Sequence, residues 1–364
     1  MVASGIDFRK GSPMASGNQR GKNQGKEFAY LCVDDFLGDI FHTRALATAF
    51  ETGLIDSLRQ NKSLSHRSLL EQGGADHRGM RLLLGLLLEN RVVDQGDDAV
   101  RLTEEFLQAL EFRDLLELKI ALANLAAHDF LDHFSDLVHR PDHFFHKVKF
   151  FRLFSYDRCL NESRENYEAT QRWMRITTTL TKYEAQACMS YHDFSGYQNI
   201  LDIGGNSGEF VLQICRKYKG IRAAVFDLPL VCEIGWKYIQ PEPEAGRISF
   251  IKGNALTDVL PERLDLISFK SMLHDWPEKE AGQFIENASR SLAPGGTLLI
   301  FERGPLDMAE GGFSYSLMPF LLFSLSFRSP ALYEKKLKDL GFQDITVRFI
   351  SLETPFFLLT AKKV

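Results

Sequence analysis

Two hydrophobic patterns divide this chain. Between about 36 and 190, apolar residues recur mainly at three-and-four spacing, whereas from about 196 short apolar runs alternate with such helical stretches. In the first part, "TRALATAFETGLIDSLRQ" (43–60) and "SHRSLLEQGG" predict helices, and "DHRGMRLLLGLLLENRVV" predicts a longer one. A small hairpin follows in "RVVDQGDDAVRLT". This is the layout of a winged helix, over about 28–113. Such modules often enter a DNA groove. Here the longer helix spends its face on "LLLGLLL", which is too apolar for that, so a packing or dimer contact is expected. Residues 114–190 predict a helical connector. In the second part the strands are "NILDIG", "RAAVFDL", "ISFIKG", "LDLISFK", "GTLLIFE", "ITVRFIS" and "FFLLTAKK". The alternation predicts an open, doubly wound α/β sheet over about 191–364, with ligands beyond the carboxyl ends of its strands. Only "LETP" separates the last two strands, so they should pair antiparallel at the sheet edge.

Composition narrows the partners. A net charge of −5 gives no electrostatic reason to expect nucleic acid. Cys32, Cys159, Cys188, Cys215 and Cys232 are scattered without a CxxC pair, which suits reduced thiols and a cytoplasmic protein. The longest apolar candidate, "SLMPFLLFSLSF" (316–327), is too short to span a membrane. Residues 1–27 are polar and Gly-rich and read as a disordered tail or cloning remnant, with Met14 as an alternative start. His128, His133, His139, His143 and His146 do not repeat i, i+4 and lack a matching carboxylate motif. They read as surface histidines on the connector, and no metal is expected. The 29 phenylalanines call for an aromatic pocket or interface.

The chemistry starts at "NILDIGGNSGEF" (199–210), a strand, a glycine turn and a helix start. A dinucleotide fingerprint would need glycines at 203, 205 and 208, but residue 203 is Ile. Instead Asp202 stands at the mouth of the turn, ahead of Gly204, Asn206 and Gly208. Its charge would repel a pyrophosphate, which such turns hold on bare backbone N–H groups. A ligand with a cationic amino acid end suits it better, and S-adenosylmethionine (SAM) is one. Asp227 ends the second strand, where an acid accepts ribose hydroxyls in NAD and SAM enzymes alike. Asn254 ends the third, where its side-chain carbonyl would meet an adenine amino group.

"DLISFKSMLHDWPEKEAGQFIENASRSLAPGGTLLIFERGP" completes a series with "LDIGGNSG", "VFDLP" and "GNAL". From about 190 onward the chain resembles the class I SAM-dependent small-molecule O-methyltransferases of the caffeate and acetylserotonin type. The resemblance implies a Rossmann-like methyltransferase domain behind an α-helical winged-helix dimerisation domain, a homodimer, and a small-molecule acceptor lined partly by the 114–190 helices. It implies His274 of "LHDW" as general base and Glu302 of "IFERGP" as the acid that orients it. The cofactor contacts it implies are Asp202, Gly204, Gly208, Asp227, Leu228, Asn254, Ala255 and Lys270. Here Asn254 replaces the family's usual Asp and Asn206 its usual Gly; both swaps keep a ligand-capable or left-handed-tolerant residue.

The resemblance weakens near the acceptor. The family's second acid falls on Leu332, with Glu334 two residues away. The wall carries Met318, Phe320, Phe323 and Phe327, bulkier than usual for relatives. Three readings stay open: methyl transfer to a hydroxyl with His274 as base, transfer to a thioether sulfur or an amine, and a SAM-binding relative of lyase or pericyclase type.

Overall fold

The computed structural model describes residues 25–72, 76–96, 99–161, 163–306 and 314–364. The expectation for the N-terminal tail falls outside these residues up to 24. Just beyond, Lys26–Phe36 forms a 3₁₀ helix that buries Tyr30, Val33 and Phe36, so Lys26 and Glu27, expected in the tail, are helical.

The helical half opens with α1 (Ile40–Glu51) and α2 (Leu54–Asn61) where the periodicity suggested one helix. Gly53 breaks it by adopting φ +72°, a left-handed conformation that costs glycine little. Then come β1 (Leu64–Ser65), α3 (His66–Gln72), α4 (His77–Glu89), β2 (Val93–Gln95) and β3 (Ala99–Leu102). The strands form a three-stranded antiparallel sheet in the order β1-β3-β2. The hairpin is where the turn residues placed it; β1, two residues long, is below the reach of periodicity. On α4, Met80 and Leu87 are buried while Leu82 and Leu88 face outward, so "LLLGLLL" is spent only partly on packing. After α5 (Glu104–Ala109), the connector consists of α6 (Arg113–His139), α7 (Pro141–Lys147), two 3₁₀ turns (Phe150–Phe154 and Asp157–Leu160) and the 28-residue α8 (Arg164–Tyr191). His143 lies 3.1 Å from Asp136.

The seven expected strands are all present: β4 (Asn199–Ile203), β5 (Arg222–Asp227), β6 (Ile248–Lys252), β7 (Leu264–Lys270), β8 (Leu292–Arg303), β9 (Gln343–Ser351) and β10 (Pro355–Lys362). Their order is β6-β5-β4-β7-β8-β10-β9. The first five run parallel; β10 lies antiparallel between β8 and β9, as the short link required. The parallel strands read as apolar runs because both of their faces are covered. One face packs on α8 and α9 (Glu209–Lys217), with Ile239 of α10 (Pro229–Ile239); the other packs on α11 (Glu278–Ser291) and α13 (Pro330–Asp339). The chain leaves β4 toward β5 on one side and later returns to β7 on the other. That reversal opens a crevice beyond the carboxyl end of β4, where ligands bind in such sheets.

A buried charge network holds the two halves at this crevice. Glu184 of α8 bonds Lys270 at the end of β7 and Arg303 at the end of β8, and Arg303 reaches Glu353 at 3.1 Å. Nearby, Lys119 of α6 pairs with Asp34 at 2.7 Å. Burial alone would raise the Glu184 carboxyl; Arg303 and Lys270 overrule it and hold the group well below the carboxylate range. Removing one member of such a network strands the others. Glu184→Ala should therefore cost about 3–5 kcal/mol of stability, read as a lower urea midpoint. A loss below about 1 kcal/mol, the scale of surface pairs, would show that the network does not hold the halves together.

Candidate active site

The crevice is a cavity whose floor is the β4 turn. Gly204 (φ +68°), Asn206 (+55°) and Gly208 (+80°) all take left-handed backbone, and Asn206 does so as expected of that residue type. A Cβ on Gly205 would sit 2.7 Å from Asp202 Oδ2 and 3.0 Å from Val225 Cγ1, so this position admits only glycine. Gly208 does not line the cavity; a Cβ there would press on Phe250 and Ile239, so it serves close packing. Asp202 lies beneath the turn rather than at its mouth. It is buried, accepts a 2.7 Å bond from Ser268 Oγ, and has no ion pair among the described residues. Burial pushes its carboxyl up to about 7. A cation in the cavity would offset that desolvation.

Asp227, at the end of β5, accepts from Asn206 N–H at 2.8 Å and Leu228 N–H at 2.7 Å, and burial pushes it up to about 6. Leu228, Asn254, Ala255 and Lys270 also line the cavity. Asn254 is turned differently from the expectation: its Oδ1 accepts from Leu256 N–H at 3.0 Å, closing a local turn. The carbonyl expected to meet an adenine amino group is thus engaged, and the side-chain NH₂ is the group without a partner among the described residues. From above, α8 lays hydroxyls on the glycine turn. Thr177 donates to Asn206 Oδ1 at 3.1 Å, Thr178 to Ser207 at 2.7 Å, and Thr181 accepts from Lys270 at 2.8 Å. Residues 177, 181 and 184 share one helix face by their spacing. That polar stripe was the overlooked signal in "TTTLTKYE".

At the other end of the cavity β7 runs into a 3₁₀ turn, Leu273–Asp275. Glu302 Oε1 accepts from the Met272 and Leu273 N–H groups, each at 2.7 Å, and Oε2 lies 2.6 Å from His274 Nδ1. Sequence reasoning missed Asp275, although it stands beside His274 in "LHDW". Its Oδ1 is 3.3 Å from His274 Nε2, and its Oδ2 accepts a 2.5 Å bond from Tyr156. Burial disfavours charge on His274, but Asp275 and Glu302 outweigh it and raise its pKa above the ordinary value. Burial also raises Asp275, opposed by His274 and Tyr156.

The stretch where the resemblance weakened is accounted for differently. Leu332 packs against the core between the sheet and α13, and Glu334 faces Lys338 at 3.8 Å; neither lines the cavity. Arg328 instead donates to the Leu273 carbonyl at 2.9 Å and to that of Trp276, clasping the turn that carries His274. The second carboxylate beside the histidine is Asp275. Phe320 and Phe323 of α12 (Met318–Phe323), with Phe327, line the cavity, and Phe327 meets the imidazole edge-on at 5.3 Å. Met318 does not line it. It points to α6 and packs with Ala123, Ala127 and Tyr315. Phe150, Phe154, Tyr156 and Trp173 form the facing wall.

A histidine with carboxylates near both ring nitrogens should titrate above about 6.5. In an NMR titration, Asp275→Asn should lower the His274 midpoint; an unchanged midpoint would mean that Asp275 does not act on the ring.

The O-methyltransferase domain family matches residues 132–343, more than half of the chain. The chain is 29% identical over 199 residues to 3-hydroxy-5-methyl-1-naphthoate 3-O-methyltransferase of Streptomyces sahachiroi, covering 54% of this chain and 57% of that protein. It is 32% identical over 174 residues to acetylserotonin O-methyltransferase of Bos taurus, covering 46% and 49%. The chain thus spans about half the length of these curated relatives. Its fold matches the crystal structure of human N-acetylserotonin methyltransferase in complex with SAM, at a TM-score of 0.67 and 20% identity over 94% of this chain and 99% of that one. By the match over 132–343, this chain belongs to the O-methyltransferase domain family.

Proposed function

We propose that this protein transfers a methyl group from SAM to a hydroxyl oxygen of a small apolar or aromatic acceptor, with His274 as general base. The observation that carries the reading is the single cavity that joins Asp202, Gly204, Asp227 and Asn254 at one end to His274, Phe323 and Phe327 at the other. The residues fit the cofactor. Asp202 is a buried carboxyl that a ligand ammonium would stabilise, the glycine turn admits close approach, and Asp227 keeps lone pairs for ribose hydroxyls. When bound, SAM supplies an electrophilic methyl group on a sulfonium.

The chain supplies position and proton chemistry. Glu302 fixes the neutral ring with its proton on Nδ1, which leaves Nε2 as the basic atom. Nε2 takes the acceptor's proton, and Asp275 and Glu302 stabilise the resulting imidazolium. The phenylalanine wall keeps water from competing and holds the acceptor by apolar contact. The presence of two carboxylates beside the base favours an acceptor that must lose a proton, hence oxygen over a thioether sulfur. A homodimer belongs to the same proposal, through the winged-helix-like region and α6. Phe41, Leu82, Leu131 and Phe134 are exposed there and offer apolar contacts to a partner.

With product measured against phenol, alcohol, amine and thioether pools, His274→Ala should lower turnover on the hydroxyl acceptor by about 10²–10⁴ with SAM affinity intact. A loss under about tenfold would sink the general-base mechanism and favour sulfur or nitrogen as nucleophile. Binding without turnover on any pool would favour the lyase-like reading. The Asp202 carboxyl, at about 7, must ionise to pair with a cation. SAM affinity measured by calorimetry should therefore strengthen as pH rises from 6 toward 7.5, and Asp202→Asn should flatten that dependence. Equal slopes in the two proteins would remove Asp202 from the cofactor's ammonium.

A further inference from the structure

Tyr156 lies on the cavity wall between the 3₁₀ turns Phe150–Phe154 and Asp157–Leu160, 119 positions before the residue it bonds. Its ring lies parallel to Trp276, with centroids 6.0 Å apart and planes 8° apart, and meets Trp173 edge-on at 5.3 Å. Two indoles thus flank the ring, and its hydroxyl donates to Asp275 Oδ2. The other oxygen of that carboxylate is the one 3.3 Å from His274 Nε2. Carboxylate orientation is free about its terminal torsion unless something holds one oxygen. Here the holder comes from the wall segment and not from the catalytic turn.

We propose that Tyr156 is a positioning residue that aims Asp275 at the Nε2 of His274, so that the base is set for proton transfer only when the 150–160 wall is seated on the cavity. This rests on the reading of His274 as the base. Wall and base form one unit: Phe150 and Phe154 on the same segment contact Phe323, which itself packs edge-on to His274. Acceptor enclosure and histidine charge are thereby coupled, which spares the enzyme from exposing an activated site to water. The charged groups acting on the ring are Asp275, Glu302 and Arg303, and among these only Asp275 is held by Tyr156.

The test is an NMR titration of the His274 ring in the full chain, for wild type, Tyr156→Phe, Asp275→Asn and the double variant. Tyr156→Phe keeps the ring and its stacking, and thermal unfolding should confirm that the fold is retained. It should lower the His274 midpoint in the same direction as Asp275→Asn and at least half as far, and in the Asp275→Asn background it should add nothing. Such non-additivity marks two residues acting through one another. An unchanged midpoint in Tyr156→Phe, with Asp275→Asn lowering it, would overturn the proposal and leave the base reading intact. An unchanged midpoint in both would show that Asp275 does not act on the histidine, overturning the proposal. The base reading is judged separately, by the turnover of His274→Ala: if that variant keeps its rate, His274 is not the base, whatever Tyr156 does.

Discussion

One buried carboxylate organises the reactive end of this molecule. Glu302 sits in the interior at the end of β8, where an unpaired charge would be costly. Three donors offset that cost: the backbone N–H groups of Met272 and Leu273, and His274 Nδ1. The consequence is geometric. The residues after β7 cannot leave the sheet freely, because their N–H groups are spent on a side chain of the neighbouring strand. The parallel pairing of Lys270 with Phe301 sets the two strand ends level, so the turn falls where Glu302 can reach it. Arg328 then secures the carbonyl side of the same turn. The imidazole is held by its backbone, its ring nitrogens and its aromatic edges together.

The cavity has a polarity that follows from what is buried along it. At the β4 and β5 ends, Asp202 and Asp227 are pushed up by desolvation and favour a cationic ligand. At the β7 and β8 ends, a histidine is drawn toward its charged form by two acids. Between them stand Lys270, Glu184 and Arg303, three charges that largely satisfy one another. A helix from the other half of the chain provides the central acid, so neither electrostatic zone is complete without α8.

Much of this was readable in the chain. The seven strands, their parallel run and the antiparallel pair at the end follow from apolar run length and linker length, both local properties. Asp202, Asp227, Lys270, His274 and Glu302 each stand at a strand end or just past one, where topology alone points residues at a ligand. The omissions share a cause. Glu184 and Tyr156 reach their partners across 86 and 119 positions: the polar stripe of α8 marks the face of Glu184 but not its partners, and the wall segment marks neither Tyr156 nor Asp275. Asn254 was found by position but not by orientation, since its side chain answers a backbone N–H two residues away. Met318 shares α12 with Phe320 and Phe323 but packs on α6 and does not line the cavity. Leu332, where the resemblance put an acid, packs in the core away from the cavity.

The order of the last strands bears on how the sheet is made. β9 precedes β10 in the chain but lies outside it, and pairs with nothing else in the sheet. β9 therefore joins the sheet only through β10, and without β10 the flank of β8 would be an open edge. The inserted strand carries Phe357, Leu358 and Leu359 into the core, so one strand both closes the sheet and completes its hydrophobic packing. An open strand edge can pair with other chains. Residues 355–362, which pair with Arg303 and Glu302 along β8, thus also cover an edge that would otherwise be open to other chains.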